Sequence, residues 1–141
     1  FNIIMDNTFA FLRLIRRIYH DGYHEHYCGY VGIKDKSIYD SLPPTYQRGG
    51  DSDDEDMLDD YISVHGGITF DGAFSENEPI IPLTDIPQNW YNCYCYGFDL
   101  NHFNDNIKGI STDFEYAKKQ ALDMKNQVEA VIRMRFPSTG S

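Results

Sequence analysis

Apolar positions at Phe11, Leu14, Ile15 and Ile18 recur at helical spacing, with Arg13, Arg16 and Arg17 on the opposite flank. Asn7 or Thr8 is placed to cap such a helix and Gly22 to end it, so an N-terminal helix is expected. The next run, HYCGYVGI at 26 to 33, mixes aromatic and β-branched residues with glycines that weaken a helix, and it reads as a strand with close backbone approach. In YISVHGGITF, 61 to 70, Tyr61, Ser63 and His65 alternate with Ile62 and Val64, as along an extended segment. Gly66-Gly67 then suits a two-residue hairpin turn, whose central residues need positive φ. In NWYNCYCYGF, Trp90, Asn92, Tyr94, Tyr96 and Phe98 fall on one face and Tyr91, Cys93 and Cys95 on the other. Both faces are apolar, which predicts an inner strand. The clearest helix follows Thr112 and Glu115, spaced as a capping box, and its inward stripe is Phe114, Ala117, Ala121, Met124 and Val128. Arg133 and Arg135 complement its C-terminal dipole and Pro137 stops it.

Between these elements lie SLPPTYQRGG, a loop by its Pro and Gly content, and residues 71 to 89, an irregular connection carrying Pro79, Pro82 and Pro87. A connection of that length needs a use in a compact domain. A chain of 141 residues, 41% hydrophobic and 15% aromatic, has material for one core. The expected fold is therefore α+β, a single domain over 1 to 141, with a small, mostly antiparallel sheet packed by an N-terminal and a C-terminal helix. Residues 137 to 141 are expected to be a disordered tail.

Charge narrows the function classes. The net charge of −10 argues against binding a phosphate backbone, which requires clustered Lys and Arg. Seven of the acids fall in DSDDEDMLDD, 51 to 60, and the remainder is only mildly acidic. Like charges at that density repel and stay hydrated, so a flexible acidic loop is expected. Asp51, Asp53 and Glu55 match the opening ligand spacing of a calcium loop, but Asp56 stands where glycine is needed and Ile62 where the bidentate glutamate belongs. The three cysteines, Cys28, Cys93 and Cys95, do not make a disulfide framework and fit a reducing compartment. No stretch approaches the roughly 18 apolar residues of a membrane span, and the N-terminal segment lacks a leader's cleavage pattern, so a soluble, unexported protein is expected.

Candidate chemistry concentrates in GFDLNHFND, where Asp99, His102 and Asp105 stand at steps of three, and in His65-Gly66-Gly67. If the two segments are neighbours, His65, Asp99, His102 and Asp105 converge at one edge of the sheet. Imidazole and carboxylate sets suit zinc, manganese or iron and also acid–base roles, while glycines let a ligand reach backbone amides. The surrounding aromatic rings could stack on a nucleobase. Plainer roles compete with these. Asp99 is well placed to cap the turn at Leu100, His65 to bond a carbonyl, and Gly66-Gly67 to serve the turn alone. His20, His24 and His26 read as solvated.

Gly29-Tyr30-Val31-Gly32, Val64-His65-Gly66-Gly67-Ile68-Thr69-Phe70 and Gly97-Phe98-Asp99 with His102 and Asp105 precede a charged amphipathic helix. Together, and in this order, they resemble a family of small uncharacterised proteins of tailed phages and prophages, over about residues 27 to 130. The chain departs from that pattern at Lys34 to Tyr46 and the acidic insert, where a short Gly-His-Pro-rich loop is usual, and at Asn101, where a small residue is usual. The resemblance implies a phage origin and brings no established activity. Three functions are compatible with the residues. The first is an accessory, anti-defence protein binding a small nucleotide-like ligand at His65, Gly66, Gly67, Asp99, His102 and Asp105. The second is a metal-dependent hydrolase using the His and Asp cluster. The third is an acidic DNA mimic that blocks a host nucleic-acid-binding protein. The expected partners are that small ligand or a host defence protein, with no direct nucleic acid or membrane binding and with homo-oligomerisation left open. The expected location is the cytoplasm of the infected bacterial host, and the ligand and any cofactor are unknown.

Overall fold

A computed structural model describes residues 7–51, 53 and 56–137. Its first element corrects the sequence reading: Thr8–Tyr19 is a strand, β1, and not a helix. His20 and Asp21 reverse the chain, Gly22 takes a φ of 121°, and Gly22–Ile33 returns as β2. The antiparallel register runs unbroken from Thr8↔Ile33 to Tyr19↔Gly22. Phe9 and Phe11 point to one side, Ala10 and Leu12 to the other, and all four are fully buried. The apolar spacing from Phe11 to Ile18 fits a helix locally, but aromatic and β-branched residues beside a long partner favour the ladder.

After β2 come a short helix α1 (Lys36–Ser41), strands β3 (Phe70–Gly72), β4 (Ile81–Pro82) and β5 (Tyr94–Asp99), and the long helix α2 (Phe114–Arg135). The sheet order is β3-β5-β2-β1-β4 and every pairing is antiparallel. The chain is thus α+β, with the C-terminal helix where the apolar stripe predicts it. Strand β5 is flanked on both sides, as its two apolar faces require, although Trp90–Asn92 wind as a 3-10 turn and the strand starts only at Tyr94. The cap of α2 is Asp113, whose carboxylate accepts the Tyr116 N–H at 3.0 Å, while Thr112 is exposed. A carboxylate at this position also complements the positive end of the helix dipole.

Two cores flank the sheet. On one side Ala117, Ala121, Met124 and Val128 of α2, all fully buried, pack on Leu12, Val31, Tyr96 and Phe98. The helix sits close because Gly29 lies beneath it: a Cβ there would run into the Phe98 ring and lie 3.2 Å from the Ala121 Cβ. On the other side the irregular connection folds over Phe9, Phe11, Cys28, Tyr30 and Cys95, bringing Phe74, Ile80, Ile86 and Trp90. Phe11 stacks on Tyr30 at 5.1 Å and meets Trp90 edge-on at 5.0 Å.

The second half of the acidic segment is docked into the protein. Met57 and Leu58 are buried, the Leu58 N–H donates to the Pro44 carbonyl at 2.9 Å, and Asp59 accepts the Tyr46 N–H at 3.2 Å. Asp56 pairs with Arg135 of α2 and accepts the Tyr61 hydroxyl at 2.6 Å. Residues 52, 54 and 55, with the calcium-loop candidate Glu55, lie outside the described residues, as do 138–141 of the expected tail. Cys28, Cys93 and Cys95 are buried free thiols. Among the described residues no helix is long and apolar enough to cross a membrane. Enlarging the side chain at the helix–sheet contact, Ala121→Leu, should cost about 1–3 kcal/mol of stability, measured as a lower urea midpoint with an unchanged denaturant slope.

Candidate functional site

The loop that leaves β5 is built by its own carboxylates. Asp99 accepts the Asn101 N–H at 3.0 Å, the turn-capping role that Asp fills readily. Asp105 accepts the His102 N–H at 2.9 Å, and the Asp105 N–H returns to the His102 carbonyl at 3.0 Å. The spacing in threes therefore has a local cause: each acid holds the start of a turn. Leu100 is tied to the Tyr27 carbonyl at 3.0 Å, and the Tyr27 N–H is tied to Ser111 at 2.9 Å. The loop is thus hung on the edge of β2 where β5 ends.

The His65 segment reaches the same place by another route. Residues 61 to 64 form no strand, and Gly66-Gly67 close no hairpin. Instead two glutamines of α2 hold the backbone. Gln127 accepts the Ser63 N–H at 2.6 Å and donates to its carbonyl at 2.9 Å, and Gln120 accepts the His65 N–H at 2.8 Å. With side chains satisfying these groups, the segment needs no ladder partner. A turn follows, closed by the Gly67 N–H to the Val64 carbonyl at 2.9 Å, with Gly66 at its third position and a φ of 71°.

The two segments meet at the His65 ring. Its Nε2 lies 2.9 Å from Asp105 Oδ2, and its Nδ1 lies 2.9 Å from the Tyr116 hydroxyl. Against an ionised carboxylate, Nε2 is the nitrogen that carries a proton, which leaves Nδ1 to pair with the tyrosine hydroxyl. Burial raises the Asp105 carboxyl, but the His102 N–H and the His65 imidazole together outweigh it and hold the group below the usual carboxylate range. His102 sits against this pair, its ring 5.7 Å from that of His65 and its Nε2 3.4 Å from Asp99 Oδ1, an ion-pair distance without hydrogen-bond geometry. Gly66 is required here by contact as well as by φ, since a Cβ would run into His102 Nε2.

The residues His65, Gly66, Asp99, His102 and Asp105 are therefore gathered together, with Gly67 closing the turn. They do not share one role. Both ring nitrogens of His65 are engaged and Asp105 is nearly enclosed, so this pair is a latch between the two loops and α2. Among the described residues no group of three or more His, Cys, Asp or Glu side chains is arranged to hold a metal ion. His65 and Asp105 are bonded to each other instead.

Asp99 and His102 face a groove of about 400 Å³ on the sheet face away from α2. Its floor is set by register. Arg13, Cys28 and Asp99 are directly opposed across β1, β2 and β5, and the next rows hold Ile15 with His26 and Arg17 with His24. Tyr30, Phe70 and Thr69 close one end, and Asn101 with His102 forms a rim. Arg13 is partly engaged, lying 4.9 Å over the Phe74 ring and pairing with Glu78. Arg17 makes no ion pair among the described residues. His26 is only 4% exposed, against its reading as solvated, and its ring makes no hydrogen bond to a described residue. Burial lowers its pKa, Asp99 opposes this and Arg17 reinforces it, so the ring is neutral at physiological pH. Burial also pushes the Cys28 thiol up to about 11, which keeps it protonated.

Sequence reading missed Arg13, Arg17 and His26 as groove residues because it placed the first two on a helix. The signal was available: Arg13, Ile15, Arg17 and His24, His26, Cys28 alternate on either side of a His-Asp-Gly reversal, the pattern of a hairpin with one polar-edged face.

Compared with protein families, curated proteins and solved structures, this chain matches none of them.

The latch makes a prediction about pH. Asp105 has a native pKa below its unfolded value of about 3.9, so its stabilisation is complete above that pH and is lost as pH falls through the native value. Asp105→Asn should lower stability by about 2 kcal/mol at neutral pH. The deficit should shrink over the same acidic window in urea titrations of both proteins. A deficit independent of pH would show that the carboxylate charge is not what holds the loops.

Proposed function

We propose that this protein is a binding module for a small, anionic, nucleotide-like ligand held in the groove on the free face of the sheet. The observation that carries the reading is one guanidinium, Arg17, without an ion pair among the described residues, beside a buried His26 imidazole without a hydrogen bond to any of them, both lining one concavity. His26 lines the groove and its ring makes no hydrogen bond to a described residue, so the ring is available to a ligand that enters the groove. Arg17 and Arg13 supply positive charge in an otherwise acidic chain. Asp99 would repel a ligand that is anionic throughout, so the ligand must also carry donors. Tyr30 and Phe70 add an apolar end wall. A phosphate at the arginines, hydroxyl or ring N–H donors toward Asp99 and His26, and a flat base against the aromatic wall would use each of these groups. A volume of about 400 Å³ falls within the common range for small-molecule sites, about 300–1,000 Å³. In this reading the His65–Asp105 latch holds His102 and Asp99 in position and does not itself touch the ligand.

The motif resemblance supports a phage-encoded accessory protein, and capture of a nucleotide signal would give it an anti-defence role in the cytoplasm of an infected bacterium. The acidic decoy is the second reading: Asp51, Asp53 and Asp60 are exposed, but Asp56 is paired with Arg135 and Asp59 accepts the Tyr46 N–H, so part of the segment's charge is already engaged.

Mass spectrometry of small molecules released from purified protein, followed by calorimetry with nucleoside monophosphates, tests the reading. We expect a nucleotide to bind, Arg17→Ala to weaken it about tenfold, equivalent to about 1.4 kcal/mol, and circular dichroism to be unchanged. Nucleosides lacking the phosphate should be insensitive to Arg17→Ala. Absence of both released nucleotide and binding heat at millimolar concentration would remove the proposal. For the anti-defence setting, wild-type protein but not Arg17→Ala should restore plaque formation on a host whose defence signals through a nucleotide, and equal rescue by both would sink it.

A further inference from the structure

A separate concavity of about 270 Å³ lies where α1 and the loop after it meet β3 and β5, and its lining shares no residue with the groove. At its base is Asp71, whose side chain is 3% exposed. Asp71 accepts the Tyr39 hydroxyl at 2.6 Å on one oxygen and the Thr45 hydroxyl at 2.7 Å on the other. Arg48 stands 4.0 Å from this carboxylate, donates to the Tyr39 hydroxyl, and lies 5.2 and 5.4 Å over the Tyr39 and Tyr94 rings, which stack at 4.4 Å. Tyr96 pairs with Asp71 across the β3–β5 ladder, so the two side chains share a face. Tyr96 is 1% exposed and lines the cavity, yet its hydroxyl bonds to no described residue, while the Tyr39 and Thr45 hydroxyls beside it are both engaged. A hydroxyl on a cavity wall with no hydrogen bond to a described residue can both donate to and accept from a ligand.

We propose that this cavity is a second binding site and takes one neutral polyhydroxyl ring, a monosaccharide. The charges in the lining decide the class. An anion would face Asp40 and Asp71, and a cation would face Arg48. A hydroxyl both donates and accepts, so a neutral ring can donate to the carboxylate lone pairs that remain on Asp71 and accept from the Tyr96 O–H. Pro43 and Pro44 add apolar wall for the C–H face of such a ring. The volume falls just below the common range for drug-sized ligands, about 300–1,000 Å³, which favours a single ring over a nucleotide. The site stands whether or not the groove binds a nucleotide.

Saturation-transfer NMR on the full chain with D-glucose, D-galactose and D-ribose, and with AMP and spermidine as charged comparators, tests it. We expect transfer to at least one sugar, a loss of at least fivefold in Tyr96→Phe, which keeps the ring and removes the hydroxyl, and no change in Arg17→Ala. The amide shifts of the wild-type protein should move at Tyr39, Asp71 and Tyr96 on adding that sugar, which keeps the test decisive even if Tyr96→Phe does not fold. Absence of transfer from all three sugars, a signal indifferent to Tyr96→Phe, shifts confined to other residues, or occupation of this cavity by AMP or spermidine would each overturn the proposal.

Discussion

Every residue of the twelve-residue β1 is paired with β2, and this register is the constraint from which the rest of the molecule follows. Because side chains alternate along a strand, it assigns Leu12, Val31 and Ile33 to the helix side and Phe9, Phe11 and Tyr30 to the aromatic side in one step. A slip of one residue would exchange these sets, putting Arg13 under α2 and Leu12 in the groove. Glycine supports the arrangement where bulk cannot be accommodated. Gly29 lets Ala121 and Phe98 close over β2, and Gly66 leaves room for His102 at the far edge.

The same register builds the groove. Arg13, Cys28 and Asp99 come from three strands and lie in one row only because both pairings of β2 are in step. Beyond this row the sheet narrows to β1 and β2 alone, since β5 ends at Asp99 and β4 covers only Phe11 and Leu12. The aromatic layer from residues 70 to 92 stops short of the rows holding His26 and Arg17, and a concavity remains. The loop after β5 then forms its rim, held from behind by His65 and Asp105.

The two cavities differ in their physical chemistry. In the groove, positive charge from one strand faces a single carboxylate, and the His26 ring makes no hydrogen bond to a described residue. In the smaller cavity, an acid is already held by two hydroxyls, a guanidinium is stacked on two rings, and the Tyr96 hydroxyl makes no hydrogen bond to a described residue. Both bring together side chains from segments far apart in the sequence, which is a more specific signal than the residue types alone. The acidic segment between them in sequence is held by Met57, Leu58 and the Asp56–Arg135 pair, so its charge density did not prevent part of it from docking.

Periodicity alone was enough to identify α2, β5 and the inner half of β2, because each buries a continuous stripe whose spacing admits one secondary structure. It also singled out the two loops that meet at His65, since glycine pairs and closely spaced acids have local geometric uses that can be read one turn at a time. The state of residues 8 to 19 was not legible, because their apolar spacing satisfies a helix and a strand alike until a partner strand lies beside them. That ambiguity concealed Arg13 and Arg17, and the same hairpin buried His26. Whether a titratable side chain is bonded, enclosed or left facing a cavity depends on neighbours tens of residues away. The sequence therefore determined which segments carry polar chemistry, while tertiary packing decided that His65 and Asp105 hold each other and that Arg17 and His26 line one groove.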